Sequence, residues 1–322
     1  MHTRTIATAM LVASALAPAS AQKKYDYTSV PNDPMQVRIY TLPNGLKVYL
    51  SQNKDKPRVQ TNIATRAGSK NDPSTATGLA HYLEHMLFKG THSIATLDWA
   101  KESAFLKQIS DTYELRRNTT DEAKREALYK RIDSLSYEAA KFAVPNEYDK
   151  MVSSLGASGT NAFTSTERTV YVNDIPSNAL EKWMMIESVR FQELVLRLFH
   201  TELETVFEEF NRGQDNDQRK AFAAMAEHLY KKHPYGTQTT IGTGEHLKNP
   251  SMVKIHEYFD TYYVPNNMAV VLAGDLDYDA TIAMVDKYFG GWKTKPVPAF
   301  TFEPEAPITA PEVVEVLGPM AE

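Results

Sequence analysis

Apolar and polar residues alternate from Val37 to Leu50 on either side of Asn44-Gly45, which predicts two antiparallel strands joined by a tight turn. Val59 to Ala67 reads as the next strand. After Asp72-Pro73-Ser74 the period changes: Leu79, Tyr82, Leu83, Met86 and Leu87 recur at helical spacing, and Gly90 stops the run. Residues 97–143 are charge-rich, nearly neutral, and free of proline and glycine. Leu128, Ile132, Leu135 and Ala139 keep helical spacing there, and Thr119 with Glu122 forms a capping-box pattern between two helices. The segment predicts an inserted helical hairpin, a packed or solvated lid over the sheet. Tyr148 to Leu155 predicts a short helix, and Asn161 to Val172 a strand rich in Thr, Tyr and Val. Leu180 to Leu198, Thr201 to Gln214, Gln218 to Lys231 and Met252 to Tyr262 predict helices. Met268 to Gly274 is a continuous apolar strand, and Ala280 to Phe289 a closing helix. Prolines 296, 298, 304, 307 and 311 then mark a linker.

His81-Tyr82-Leu83-Glu84-His85, inside the first helical run, reads H-x-x-E-H, the inverted form of the zinc-protease motif. Four residues apart on a helix, the two histidines share a face and can supply two corners of a tetrahedral zinc site. Glu84 adjoins the second of them, where a carboxylate can take a proton from water activated by the metal. A catalytic zinc needs a third protein ligand, and the helix from Thr201 offers four carboxylates. Leu203, Val206, Phe207 and Phe210 form its apolar stripe; Glu202 and Glu209 fall on one flank, Glu204 and Glu208 on the other. Helical geometry does not choose between these pairs. His92, His200, His228, His233, His246 and His256 show no ligand-like spacing and read as ordinary surface or core polar groups.

Composition narrows the function. The 322 residues carry 35 Lys plus Arg against 40 Asp plus Glu, with no basic run, which speaks against nucleic-acid binding. Hydrophobic content of 42% suits a globular core. Arg4, the apolar run Ile6 to Ala17 and Ala19-Ser20-Ala21 read as a signal peptide over residues 1–21, so the mature chain is expected to begin near Gln22 and be exported, periplasmic or secreted. The run is too short to span a bilayer, and no cysteine follows it for lipid attachment, so no membrane anchor is expected. With no cysteine anywhere, there is no disulfide framework, and any zinc ligands must be His, Asp or Glu.

At this point the chain resembles the insulinase/pitrilysin metallopeptidases. Gly78 to Thr91 is similar to that family's active-site helix, and Tyr40-Thr41-Leu42-Pro43-Asn44-Gly45-Leu46 to its opening hairpin. Gly159-Thr160-Asn161-Ala162-Phe163-Thr164 followed by Thr169-Val170-Tyr171 resembles its substrate-facing edge strand. Tyr263-Val264-Pro265-Asn266-Asn267-Met268 leading to Gly274-Asp275 resembles its last core strand, and the likeness runs over roughly residues 36 to 292. It implies an α+β fold of the mitochondrial-processing-peptidase-like type, an antiparallel-rich sheet with helices mainly on one face. It implies one zinc ion per chain, held by His81, His85 and Glu209, with Glu84 activating water and then protonating the leaving amine. Glu202 would support the site electrostatically. Asn161, Ala162 and Phe163 would pair with an extended peptide substrate. Glu209 lies 124 positions after His85, longer than is common in the family, and the extra length coincides with the hairpin at 97–143.

The expected organisation is a catalytic domain over 22–295, then a proline-rich linker and the start of a second domain over 296–322. Val313, Val314, Val316 and Leu317 read as the start of a strand with nothing left to pair it. The resemblance implies a second homologous half, in a longer chain or on a partner subunit. The expected activity is zinc-dependent endopeptidase cleavage of peptides or unfolded segments. The rivals are a non-catalytic peptide-binding or assembly subunit of the same fold, and metal-dependent hydrolysis of a non-peptide.

Overall fold

The computed structural model describes residues 24–318; the expected signal segment, residues 1–21, lies outside the described residues. Seven strands form one sheet: β1 Tyr27–Thr28, β2 Arg38–Thr41, β3 Lys47–Gln52, β4 Arg58–Thr65, β5 Ser158–Thr164, β6 Thr169–Pro176 and β7 Met268–Gly274. Their spatial order is β1-β2-β3-β7-β4-β6-β5. Only β3 and β7 run parallel; the other neighbours are antiparallel. The register aligns Tyr40, Val48, Val270, Ile63, Tyr171 and Ala162 in one row across six strands. Side chains in such a row share a face, and the first five are buried. Tyr49, Val271, Asn62 and Val172, from the alternate positions, are only half-buried.

Helices share one hydrophobic core with the buried face. They include α1 Leu79–Met86, α5 Leu180–Arg190, α10 Met252–Tyr262 and α11 Tyr278–Phe289. The others are α2 Trp99–Arg117, α3 Glu122–Ala140, α4 Glu147–Ser154, α6 Phe199–Gln214, α7 Asp217–Leu229, α8 Pro234–Thr237 and α9 Gly244–Lys248. This is the expected α+β arrangement, with one strand pair parallel. Asn44-Gly45 makes the turn between β2 and β3, with Gly45 at φ 85°, a conformation that favours glycine.

Three expectations need correction. The strand expected over Asn161 to Val172 is two strands, β5 and β6, joined by Ser165-Thr166-Glu167-Arg168. There Ser165 N–H donates to the Arg168 carbonyl at 2.8 Å, and the Ser165 hydroxyl accepts from the Glu167 and Arg168 N–H groups. The helix expected over Leu180 to Leu198 ends at Arg190. The following apolar residues look helical by spacing but form a loop, which lets the buried Arg197 donate to the carbonyls of Lys89, Thr91 and Ile94. In the hairpin, Asp121 caps α3 by accepting from Lys124 N–H at 3.0 Å. Thr119 instead donates its hydroxyl to the Leu115 carbonyl at 2.7 Å. An acidic side chain directly before the helix outcompetes a threonine two residues further away.

The hairpin is tied to the body. Arg197 meets Glu102 of α2 through Nε at 2.5 Å and Nη2 at 2.9 Å, both side chains about 1% exposed. Residues 293–318, including Val313 to Leu317, have no regular structure. They pass beside α7, where Glu312 pairs with Lys231 at 3.0 Å.

Candidate metal centre

Helix α1 is fixed first at its N-terminus. Asp72 accepts from Gly78 N–H at 2.7 Å and from Ala80 N–H at 3.0 Å, satisfying donors that the first turn leaves open. Burial pushes this carboxyl up to about 7, against the pull of those N–H groups. Gly78 itself sits at φ 86°, and a side chain there would come within 2.6 Å of the Ile241 carbonyl oxygen. A glycine therefore lets the loop at Ile241 close against the start of the helix.

One helical turn then stacks His81 over His85, ring centroids 4.8 Å apart and nearly perpendicular. Their Nε2 atoms are 3.3 Å apart. From α6, Glu209 brings Oε2 to 3.5 Å from His81 Nε2 and 3.8 Å from His85 Nε2. Zinc bonds of ~2.0–2.1 Å in a tetrahedron imply ligand-to-ligand edges of ~3.4 Å. The three atoms are thus spaced as the corners of a zinc site, and the residues fit the ion. Among the described residues this trio alone forms such a cluster. Glu204 and Glu208 are exposed on the other flank of α6 and are not part of this cluster.

Protonation at His81 matches a ligand role. Burial, helped by the neighbouring His85, drives His81 down to about 4, so its ring is neutral near pH 7. Burial also opposes charge on His85, but the hydrogen bond to Glu202 and the charges of Glu209, Glu202 and Glu84 outweigh it and raise its pKa. His85 Nδ1 lies 2.8 Å from Glu202 Oε1, an acceptor that keeps Nε2 free to face the other ligand atoms. Burial favours a protonated Glu202, yet the hydrogen bonds from His85 and Lys89 prevail and hold it below the usual carboxylate range.

Glu84 is 7% exposed on the same helix. Burial raises its pKa, which suits a group that must accept a proton. Its Oε2 accepts from the Thr164 hydroxyl of β5 at 2.6 Å. The expected site residues therefore converge: His81, Glu84, His85, Asn161, Ala162, Phe163, Glu202 and Glu209 all line one cleft of about 1060 Å³. No hairpin residue from 97 to 143 lines it. Pattern reading missed Lys89, Thr164 and Asp72. Lys89 was within reach, four residues after His85 and so on the same flank of a continuing helix.

The family model described as insulinase (peptidase family M16) matches residues 47–120 and 131–243. This chain belongs to the insulinase family. The insulinase match carries every candidate site residue and is interrupted only at 121–130, within the hairpin. A second model, described as the peptidase M16 inactive domain, matches residues 252–320. An uncharacterized zinc protease of Mycobacterium leprae is 24% identical over 252 residues, covering 78% of this chain and 45% of the relative. Human insulin-degrading enzyme is 26% identical over 295 residues, 87% of this chain and 23% of its own length. Among solved structures, a protease from Helicobacter pylori superposes with a TM-score of 0.62 at 23% identity, over 86% of this chain and 53% of its own. The periplasmic protease PqqL of Escherichia coli gives 0.65 at 19% identity, over 87% and 26%. The chain spans between about a quarter and about half of these relatives' lengths.

Proposed function

We propose that this insulinase-family chain is a zinc-dependent endopeptidase that cleaves peptides bound as an extended strand. The observation that carries the reading is the convergence of His81 Nε2, His85 Nε2 and Glu209 Oε2 beside the buried Glu84. These three would hold one zinc ion. Bound zinc supplies Lewis acidity, which makes water easier to deprotonate and a carbonyl easier to attack. Glu84 takes the water proton on Oε1, which no hydrogen bond engages, while Thr164 steadies Oε2. As the C–N bond breaks, the same oxygen returns the proton to the leaving amine. Glu202 orients His85 through Nδ1.

Substrate placement follows from the sheet. Strand β5 is its last strand on one side and is half-exposed along its length. Its outer backbone groups have no strand partner, and an extended peptide can pair with them. Asn161, Ala162 and Phe163 lie on that strand against the cleft, and Phe163 is 45% exposed. Such a peptide runs past Glu84, because Thr164 of the same strand touches it.

The working enzyme is proposed to include a second homologous half, since the relatives are about two to four times as long as the matched span. Export from the cytoplasm is proposed from the N-terminal signal pattern. The deciding experiment pairs zinc analysis of the purified mature protein with cleavage of a mixed peptide library. Near-stoichiometric zinc is expected, with cleavage lost in Glu84→Gln. A chain that takes up no zinc, or a Glu84→Gln variant that cleaves like the parent, overturns the proposal.

A further inference from the structure

Lys89 is one of the charged side chains that line the cleft and take no part in the steps above. Lys89 ends the short turn Leu87–Lys89 that continues α1. Its ammonium lies 2.5 Å from Glu202 Oε2, while the other oxygen of that carboxylate faces His85 Nδ1 at 2.8 Å. The Lys89 and Glu202 side chains are 21% and 13% exposed, well out of bulk water. The lysine backbone is fixed as well. Its carbonyl accepts from Arg197 Nη1 at 2.7 Å, and Arg197 is locked against Glu102 of the hairpin.

We propose that Lys89 is a positioning residue for His85, acting through Glu202. The proposal rests on the zinc reading of the site. A histidine ligand is oriented by whatever its second ring nitrogen bonds to, and loss of that partner weakens the metal site. A glutamate on a helix has several rotamers; gripped at both oxygens, Glu202 keeps the one that serves His85. Charge gives a second reason. The carboxylates of Glu84, Glu202 and Glu209 line one cleft. Lys89 sets an ammonium directly against Glu202, offsetting part of the like charge gathered there.

The test measures zinc affinity by competition with a chelator for the purified protein, Lys89→Met, Lys89→Arg, Glu202→Gln, and the Lys89→Met/Glu202→Gln double variant. Melting temperatures of the metal-free proteins are measured in parallel. Lys89→Met is expected to weaken zinc binding by roughly 10–100-fold, with the metal-free melting temperature little changed. Lys89→Arg, which keeps the charge, is expected to restore most of the affinity. The double variant should bind no more weakly than Glu202→Gln alone, because the two residues act in series. A simple fold-stabilising ion pair would lower the metal-free melting temperature and leave zinc affinity within about twofold, and that result overturns the proposal. So does an equal loss from Lys89→Met in the Glu202→Gln background. Should Lys89→Met not fold, Lys89→Gln carries the same comparisons. Failure of the parent protein to bind zinc is a separate outcome, which overturns the zinc reading itself.

Discussion

Thr164 on the edge strand β5 donates its hydroxyl hydrogen to Glu84 on helix α1 at 2.6 Å. The strand proposed to take substrate and the proposed base are thus held together in the folded chain. That hydrogen bond favours the ionised carboxylate and opposes the upward push of burial. Thr164→Val keeps the shape and removes the donor, so the Glu84 carboxyl should rise further. The acid limb of the kcat/KM profile is expected to move to higher pH, so that cleavage on that limb is down by about tenfold for each pKa unit it moves. A pH–rate profile checks this, and an unmoved limb would disconnect Thr164 from the base.

Three of the four glutamates of α6 should separate cleanly. Glu209→Gln is expected to lose zinc from the purified protein, whereas Glu204→Gln and Glu208→Gln, both exposed on the other flank, should retain it. Metal analysis after dialysis reads the difference. Zinc retained in Glu209→Gln and lost in either of the others would reassign the third ligand.

Arg197→Met should destabilise the chain by about 3–5 kcal/mol, because it strands the buried Glu102 carboxylate without its partner. The double variant Glu102→Gln/Arg197→Met is expected to recover part of that loss. Denaturant melts of the four proteins form the cycle, and strictly additive losses would show that the pair is not coupled.

Asp72 gives a pH dependence of opposite sense to the usual carboxylate. Its folded pKa is raised to about 7 from an ordinary 3.8. The folded chain therefore holds this proton more tightly than the unfolded one. The stability it contributes is complete below pH ~4 and is lost as pH rises to ~7. Asp72→Asn removes the titrating group, so its stability curve should be flatter than the parent's across that window. Urea melts at a series of pH values test this; curves that differ only by a constant offset would contradict it.

The parts of the site written as local spacing were legible in the sequence. His81, Glu84 and His85 sit within five residues, and one helical turn sets their geometry. Helical spacing left Glu209 on one of two equivalent flanks, and only the family resemblance pointed to it. Which flank faces α1 depends on how two helices far apart in sequence pack, and spacing within one helix does not contain that information. The break between β5 and β6 escaped for a related reason. Ser165 to Arg168 carry neither proline nor glycine, and the turn is made by the Ser165 hydroxyl and by pairing across the sheet. Leu194, Val195 and Leu196 also misled, because an apolar run has the same appearance in a buried loop as in a helix. Thr164 and Lys89 act on partners 80 and 113 positions away, and such contacts exist only once the chain has folded.

The position of β7 bears on when this molecule can work at all. The strand lies between β3 and β4, and Val270 pairs with both Val48 and Ile63. Without β7 the sheet falls into two separate ribbons, β1-β2-β3 and β4-β6-β5, each with an open inner edge. The strand that joins them is made roughly 220 residues after β3, a separation that makes assembly slow. A nascent chain that has not yet reached Met268 already contains every ligand of the proposed centre, but not the strand that fixes the helix-bearing sheet beneath them. The sheet on which the proposed centre rests is therefore complete only once Met268 to Gly274 has been added.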